Sequence, residues 1–315
     1  MFRSRCYRVD NEQVVLVLTV LLVLAVIVLT STVTFCLSGV FIVGMFAVSA
    51  FTIRAHHRAL MHSAQPVNGA QTPELDRLVQ TCSQKLQPGP VDVYLVKKDQ
   101  MNAYTFGISD PKALVIYTPM VQVMSPGELS FVIGHEMGHV ALGHTWLNTI
   151  LGGMAGIPAP FGAAVLLYAA FRWWNRMCEY SADRAGLLAC GNLNVAVSAL
   201  VKLVAPNIRS QQEFDRALAM IDAQDDDVSN VLAEAFQSHP MLIRRINKLR
   251  TYAQTAEYQQ MQAGVNGNVG ERASHPAPTV EARSEPRPAA ETPPEPEAPP
   301  QSPEERWPWL KRQDD

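Results

Sequence analysis

The chain has 315 residues, with 26 Lys and Arg against 29 Asp and Glu, and a net charge of −3. It therefore lacks the basic field that nucleic-acid binding requires, and no nucleic-acid partner is expected. The 48% hydrophobic content averages a very apolar start, an ordinary middle and a proline-rich end, which suits one sizeable domain with appendages better than two equal domains.

Residues 1–12 form a short polar N-terminus containing Arg3, Arg5 and Arg8. Between Glu12 and Arg54 there is no charged residue. A helical span needs roughly 20 apolar residues, so residues 13–53 are long enough for a transmembrane hairpin of two helices, near 13–31 and 36–53. Thr30, Ser31, Thr32, Thr34, Ser38 and Gly39 supply the turn between them. Arg54, His56, His57 and Arg58 follow the hairpin, and with positive residues on both flanks the positive-inside rule puts both ends in the cytoplasm. The expected protein is thus integral to the cell (inner) membrane, in contact with the lipid bilayer, with everything after residue 53 cytoplasmic. A secretory signal ending at Val48-Ser49-Ala50 fits less well, because signal apolar regions usually run only about 7–15 residues. One long tilted span, which would export the domain, is a third reading.

Residues 54–71 read as a linker and residues 72–257 as the domain. Thr72-Pro73-Glu74 opens an amphipathic helix whose apolar positions are Leu75, Leu78, Val79, Cys82 and Leu86. After Pro88-Gly89-Pro90, Val91 to Val96 alternates as a strand does; Asp110-Pro111-Lys112 marks a turn before a second strand-like run, Ala113 to Thr118. The remainder is helical in period, giving a predominantly α-helical α+β domain with a small β-sheet. Cys6, Cys36, Cys82, Cys178 and Cys190 form no C-x-x-C pair, which fits unpaired thiols in a reducing compartment.

Ser125-Pro126-Gly127-Glu128 carries helix-start chemistry and leads directly into His135-Glu136-Met137-Gly138-His139. Residues four apart share a helix face, so His135 and His139 can aim both imidazoles at one ion. Glu136 is adjacent to a ligand and poorly placed to be another, but it can reach a water activated by the ion, as a general base must. Two histidines and a glutamate in a largely uncharged stretch would be costly to bury without a ligand.

Catalytic zinc takes three protein ligands, so one Zn2+ per chain requires a third from elsewhere. His144 lies one place off the register that a metzincin needs, and on a continuous helix it points well away from His135 and His139. A role as a helix-end or supporting hydrogen-bonding residue fits it better. Glu179 and Asp183 are four apart, and following this motif Glu179 reads as the third ligand. Asp183 then accepts the outer N–H of a ligating histidine. Because His139 and Glu179 must meet, both flanks of the apolar insert at 146–171 lie on one side of the membrane. The insert is too short for two crossings and reads as a re-entrant or interfacial hairpin or as buried helices, with Arg172, Trp173 and Trp174 as an interfacial rim.

Four stretches together resemble the HtpX-type membrane metallopeptidases, a family that includes the CAAX prenyl endopeptidases. They are Asn102-Ala103-Tyr104-Thr105-Phe106-Gly107, the H-E-M-G-H helix running to Gly143-His144, the Glu179/Asp183 segment, and Ser238-His239-Pro240 with Arg245-Ile246-Asn247-Lys248-Leu249. The resemblance covers roughly residues 70–255 and implies a zincin-type metallopeptidase domain. It further implies that Asn102, Ala103 and Tyr104 lie by the cleft and bind substrate by strand addition. His239 is implied to approach the metal centre, bonding the tetrahedral intermediate or capping the zinc in a latent state. Arg245 is implied to hold the Asp183 region or the oxyanion.

Half of the 22 prolines fall in residues 262–315, a tail expected to be disordered; its one apolar island, Trp307-Pro308-Trp309-Leu310, reads as a docking peptide or equally as a mere hydrophobic tail end. The expected activity is zinc-dependent endopeptidase action on protein or peptide substrates, membrane or misfolded proteins above all. A site-specific processing or prenyl-peptide endopeptidase, and a non-catalytic metal-binding scaffold or sensor, are the rival readings.

Overall fold

A computed structural model describes residues 7–33, 37–154, 162–204, 240–263, 307 and 309. Two long helices open the chain, α1 (Glu12–Val33) and α2 (Leu37–Ser63). The second outruns the expected span: residues 54–63, read from sequence as linker, continue the helix and pass straight into β1 (Ala64–Pro66). After α3 (Pro73–Leu86) come β2 (Val91–Val96), β3 (Ala103–Phe106), β4 (Lys112–Tyr117) and the short α4 (Thr118–Val123). The remaining helices are α5 (Pro126–Ala141), α6 (His144–Met154), α7 (Gly162–Cys190), α8 (Leu193–Val204) and α9 (Pro240–Ala253). The fold is mostly helical with a small mixed sheet, as expected.

The sheet runs β1-β2-β4-β3, parallel only between β2 and β4. Alternation along β2 and β4 divides its two faces. Val93, Leu95, Leu114 and Ile116 join the main core with Leu75, Leu86, Leu129 and Phe131 of α3 and α5. Val96, Val115 and Tyr117 point the other way and pack with Phe106 and with Leu60 near the end of α2. A strand face that α2 covers cannot face water, which explains why that helix continues past its apolar stretch.

The helix α7 is a single 29-residue rod, and its first part is the second half of the apolar insert. It packs along α5 on one side and α1 on the other, where Val15, Trp174 and Cys178 form a small buried cluster. Trp174 is thus interior rather than part of a rim, whereas its neighbour Trp173 is 46% exposed. Among the described residues no helix is long and apolar enough to cross a membrane; the described side chains of α1 reach only residue 29, and those of the apolar part of α2 are few. Trp307 and Trp309, expected from sequence to belong to a disordered tail, are buried in the main core. The described cysteines Cys82, Cys178 and Cys190 are all free thiols.

Candidate metal centre

The helix α5 begins with a full capping box: Glu128 N–H donates to Ser125 Oγ, and Ser125 N–H donates to Glu128 Oε2 at 2.7 Å. Lys202 and Ser198 of α8 hold the same carboxylate. One turn and a half further on, Gly134 and Gly138 face α7. A Cβ at Gly134 would lie 2.3 Å from Ala189 Cβ, and one at Gly138 would lie 2.6 Å from Ala185 Cβ. Gly186 answers from α7, where a Cβ would meet Phe131 O at 2.7 Å. Only hydrogen at these positions permits the close approach, and the approach brings Glu179 and Asp183 within reach of the histidines.

The Nε2 atoms of His135 and His139 stand 3.2 Å apart, with Glu179 oxygens 3.6 Å from the first and 3.5 Å from the second. One donor atom from each of the three residues fits within a 4.8 Å group. A tetrahedral ion with bonds of about 2.0–2.1 Å needs its ligands roughly 3.3–3.4 Å apart, a spacing that the imidazole pair matches and that the Glu179 carboxylate, offering one oxygen to each histidine, approaches. The outer nitrogens support the same geometry. His135 Nδ1 lies 3.0 Å from Asp183 Oδ1, and an ionised carboxylate only accepts, so the proton sits on Nδ1 and Nε2 presents its lone pair inward.

Arg245 of α9 braces both carboxylates. Its Nε and Nη2 donate to Asp183 at 2.8 and 2.6 Å, and its Nη1 lies 3.0 Å from Glu179 Oε2. Burial pushes the Glu179 carboxyl upward, but Arg245 and the two histidines overcome it and hold Glu179 well below the usual carboxylate range. Asp183 is lowered in the same way, burial being outweighed by the Arg245 guanidinium and the bond to His135. Glu136 differs: burial raises its carboxyl above the ordinary value, with Glu179 adding to the rise and His135, His139 and a hydrogen bond from Thr105 opposing it.

A cleft of about 370 Å³ opens over these groups, lined by Asn102, Ala103 and Tyr104 as well as His135, Glu136, His139, Glu179 and Arg245. The strand β3 supplies Ala103 and Tyr104 and, among the described residues, is bonded to β4 on one side only. All expected site residues but one therefore converge; the exception, His239, lies outside the described residues. His144 departs from its expected direction. The left-handed Gly143, at φ +78°, ends α5 and starts α6 on a new axis, so His144 turns back to place its Nδ1 3.1 Å from His139 Nδ1. Two contributions were not legible beforehand. The glycines had a signal, small residues at four-residue spacing on two helices; Glu12, buried beside His144, had none beyond its isolation.

The fold and this site define the class, a metallopeptidase of the H-E-x-x-H kind. The chain belongs to peptidase family M48, whose model matches residues 69–253, more than half of its length. It is 29% identical over 211 residues to the "Plastoglobule-localized metallopeptidase 48, chloroplastic" of Arabidopsis thaliana, an overlap covering 62% of this chain and 61% of that relative. Two proteins named "Protease HtpX homolog" are also similar. The one from Ralstonia pickettii (strain 12J) is 28% identical over 233 residues, or 63% of this chain. The one from Thermodesulfovibrio yellowstonii is 25% identical over 229 residues, or 61% of this chain. In both, 80% of the relative is covered, whereas the chain spans less than two thirds of the plastoglobule protein. The resemblance to HtpX-type metallopeptidases carried by the motifs holds.

Proposed function

We propose that this chain is a membrane-anchored, zinc-dependent endopeptidase that hydrolyses peptide bonds with Glu136 as general base and acts on membrane or misfolded proteins. One observation carries the reading: three metal-capable donors converge on one point beside a buried glutamate, in a cleft bordered by a marginal strand. His135, His139 and Glu179 would hold the ion, and two imidazoles with a carboxylate suit zinc better than magnesium or calcium. When bound, zinc supplies a Lewis acid that polarises the scissile carbonyl and acidifies water.

Glu136 takes the proton of the attacking water and passes it to the leaving amine. Among the protein groups alone, burial raises its carboxyl, the direction that favours taking up a proton. Asp183 keeps His135 in the tautomer whose Nε2 faces inward. Arg245 keeps Asp183 and Glu179 ionised and in place, a positioning role; its nearness to the cleft also supports a contact with the developing oxyanion. Asn102, Ala103 and Tyr104 line the strand margin along which an extended substrate pairs by strand addition. His239 retains its family-implied role at the centre.

The anchor draws support from exposure. Val14, Val17, Leu21, Leu24, Val28 and Leu29 of α1 are each more than half exposed, an apolar surface that acyl chains would cover. The length basis of the anchor is the uncharged run of residues 13–53, at roughly 20 apolar residues per span. Cytoplasmic facing of the domain follows from the charges flanking the apolar run. The test compares zinc content and cleavage of a membrane-protein substrate for wild type and Glu136→Gln. The variant is expected to keep its zinc and lose activity by on the order of 100- to 10,000-fold. Undiminished cleavage with zinc retained sinks the mechanism.

A further inference from the structure

The two ligand histidines are supported in different ways. His135 rests directly on Asp183, as the sequence pattern leads one to expect. His139 rests on another imidazole: its Nδ1 lies 3.1 Å from His144 Nδ1, and His144 Nε2 lies 3.0 Å from Glu12 Oε1. The proton positions along this chain are forced from its far end. Glu12 accepts, so His144 carries its proton on Nε2; its Nδ1 must then accept, so His139 carries its proton on Nδ1 and directs the Nε2 lone pair at the centre.

The far end is built rather than incidental. Glu12 is 3% exposed and His144 2% exposed. Ser181, on the same helix as Glu179, donates its hydroxyl to the other Glu12 oxygen and itself accepts from Val9 N–H. Arg8 stands with its Nε 3.4 Å from Glu12 Oε1, while its Nη2 donates to Leu142 O at the end of α5. The indole of Trp174 lies edge-on to the His144 ring, at 5.9 Å between centroids. Both oxygens of the Glu12 carboxylate are thus held, one by His144 and the other by Ser181, with Arg8 alongside.

We propose that Glu12 and His144 are positioning residues for the metal centre, so that the segment leading into α1 is part of the metallopeptidase site and not only a membrane tether. The proposal rests on the reading of His135, His139 and Glu179 as zinc ligands. Glu12 fixes the tautomer of His144, and His144 fixes the tautomer and ring plane of His139, the role that Asp183 performs for His135 without an intermediary. Displacing residues 8–12 therefore loosens the ion even though none of them touches it.

The test uses the full chain in lipid nanodiscs and measures zinc affinity by competition with a chromophoric chelator, together with the visible spectrum of the cobalt-substituted protein. Glu12→Ala and His144→Gln are each expected to weaken zinc binding by about 10- to 100-fold and to shift the cobalt bands, as loss of a partner behind a ligand does. The double variant is expected to be no weaker than the poorer single one, because both act through His139. Glu12→Gln keeps an acceptor oxygen and is expected to recover most of the affinity, which also answers any folding defect in Glu12→Ala. Wild-type affinity and an unshifted cobalt spectrum in folded Glu12→Ala and His144→Gln overturn the proposal while leaving the ligand reading intact. Additive losses in the double variant also overturn it. A wild type that binds no zinc overturns the ligand reading and this proposal together.

Discussion

The helix α7 touches its two neighbours by opposite means. Towards α5 it presents Ala182, Ala185, Gly186 and Ala189, and the helices meet backbone to backbone with glycines in the gap. Towards α1 it presents Trp174, Cys178 and Ser181, and a large ring, a thiol and a hydroxyl fill a wider space. The first contact sets how far Glu179 and Asp183 stand from the histidines; the second holds the support behind one of those histidines. Small residues set a distance because nothing between the backbones can adjust, whereas large ones fill volume and tolerate displacement at a cost in packing.

The wide contact should show the larger stability effect. Trp174→Ala removes a fully buried indole and is expected to destabilise the protein by about 3–5 kcal/mol. Thermal unfolding in detergent, with Trp173→Ala as the exposed comparison, measures it; equal small losses for both tryptophans would contradict the buried cluster.

The close contact should show a smaller stability loss with a more specific consequence. Gly134→Ala improves helix propensity by up to about 1 kcal/mol, but its methyl falls 2.3 Å from Ala189 Cβ, with backbone atoms of Gly186 and Ala185 behind. Overpacking of about 1–3 kcal/mol therefore wins. The expected outcome is a modestly lowered Tm with a disproportionate loss of zinc affinity, since α7 must move away with Glu179 on it. A variant with unchanged zinc binding would mean that the spacing of the two helices does not control the site.

The smallest effect belongs to the start of α5. Glu128 is held below its ordinary value: burial alone would raise it, but Lys202, Ser198 and the Ser125 N–H more than compensate. A depressed folded-state carboxyl contributes stability that is present above the unfolded-state value and is lost as pH falls through the folded-state value. Glu128→Gln should thus cost about 1 kcal/mol at neutral pH and flatten the loss of stability on the acid side of pH 4.5. Unfolding curves collected from neutral to acid pH check both the size and the sign; parallel curves for the two proteins would remove Glu128 from the acid transition.

Much of the site was legible because its geometry is local. Histidines four apart must share a face of any helix, as must Glu179 and Asp183, and a capping box marks a helix start by its own chemistry. The strands at Val91–Val96 and Lys112–Tyr117 followed from alternation and turn residues, the second within one residue of expectation. The continuation of α2 to Ser63 was not legible, because the cluster of Arg54, His56, His57 and Arg58 reads as a membrane edge, while the reason for the helix is a sheet face that lies far along the chain.

The sequence by itself determined the donor types and their pairing on two helices, since these depend only on residue chemistry and the 3.6-residue period. Beyond Asp183, which its spacing from Glu179 already placed behind a ligand histidine, tertiary structure decided what stands behind the donors. The left-handed turn at Gly143 reverses the direction expected of His144, and Arg245 joins two carboxylates from a helix about 60 residues away in sequence. The lone acid at the head of an apolar run becomes the buried end of a hydrogen-bonded chain to His139. A buried ionic contact is fixed by the partners that meet it, and those partners come from segments whose proximity no local pattern encodes.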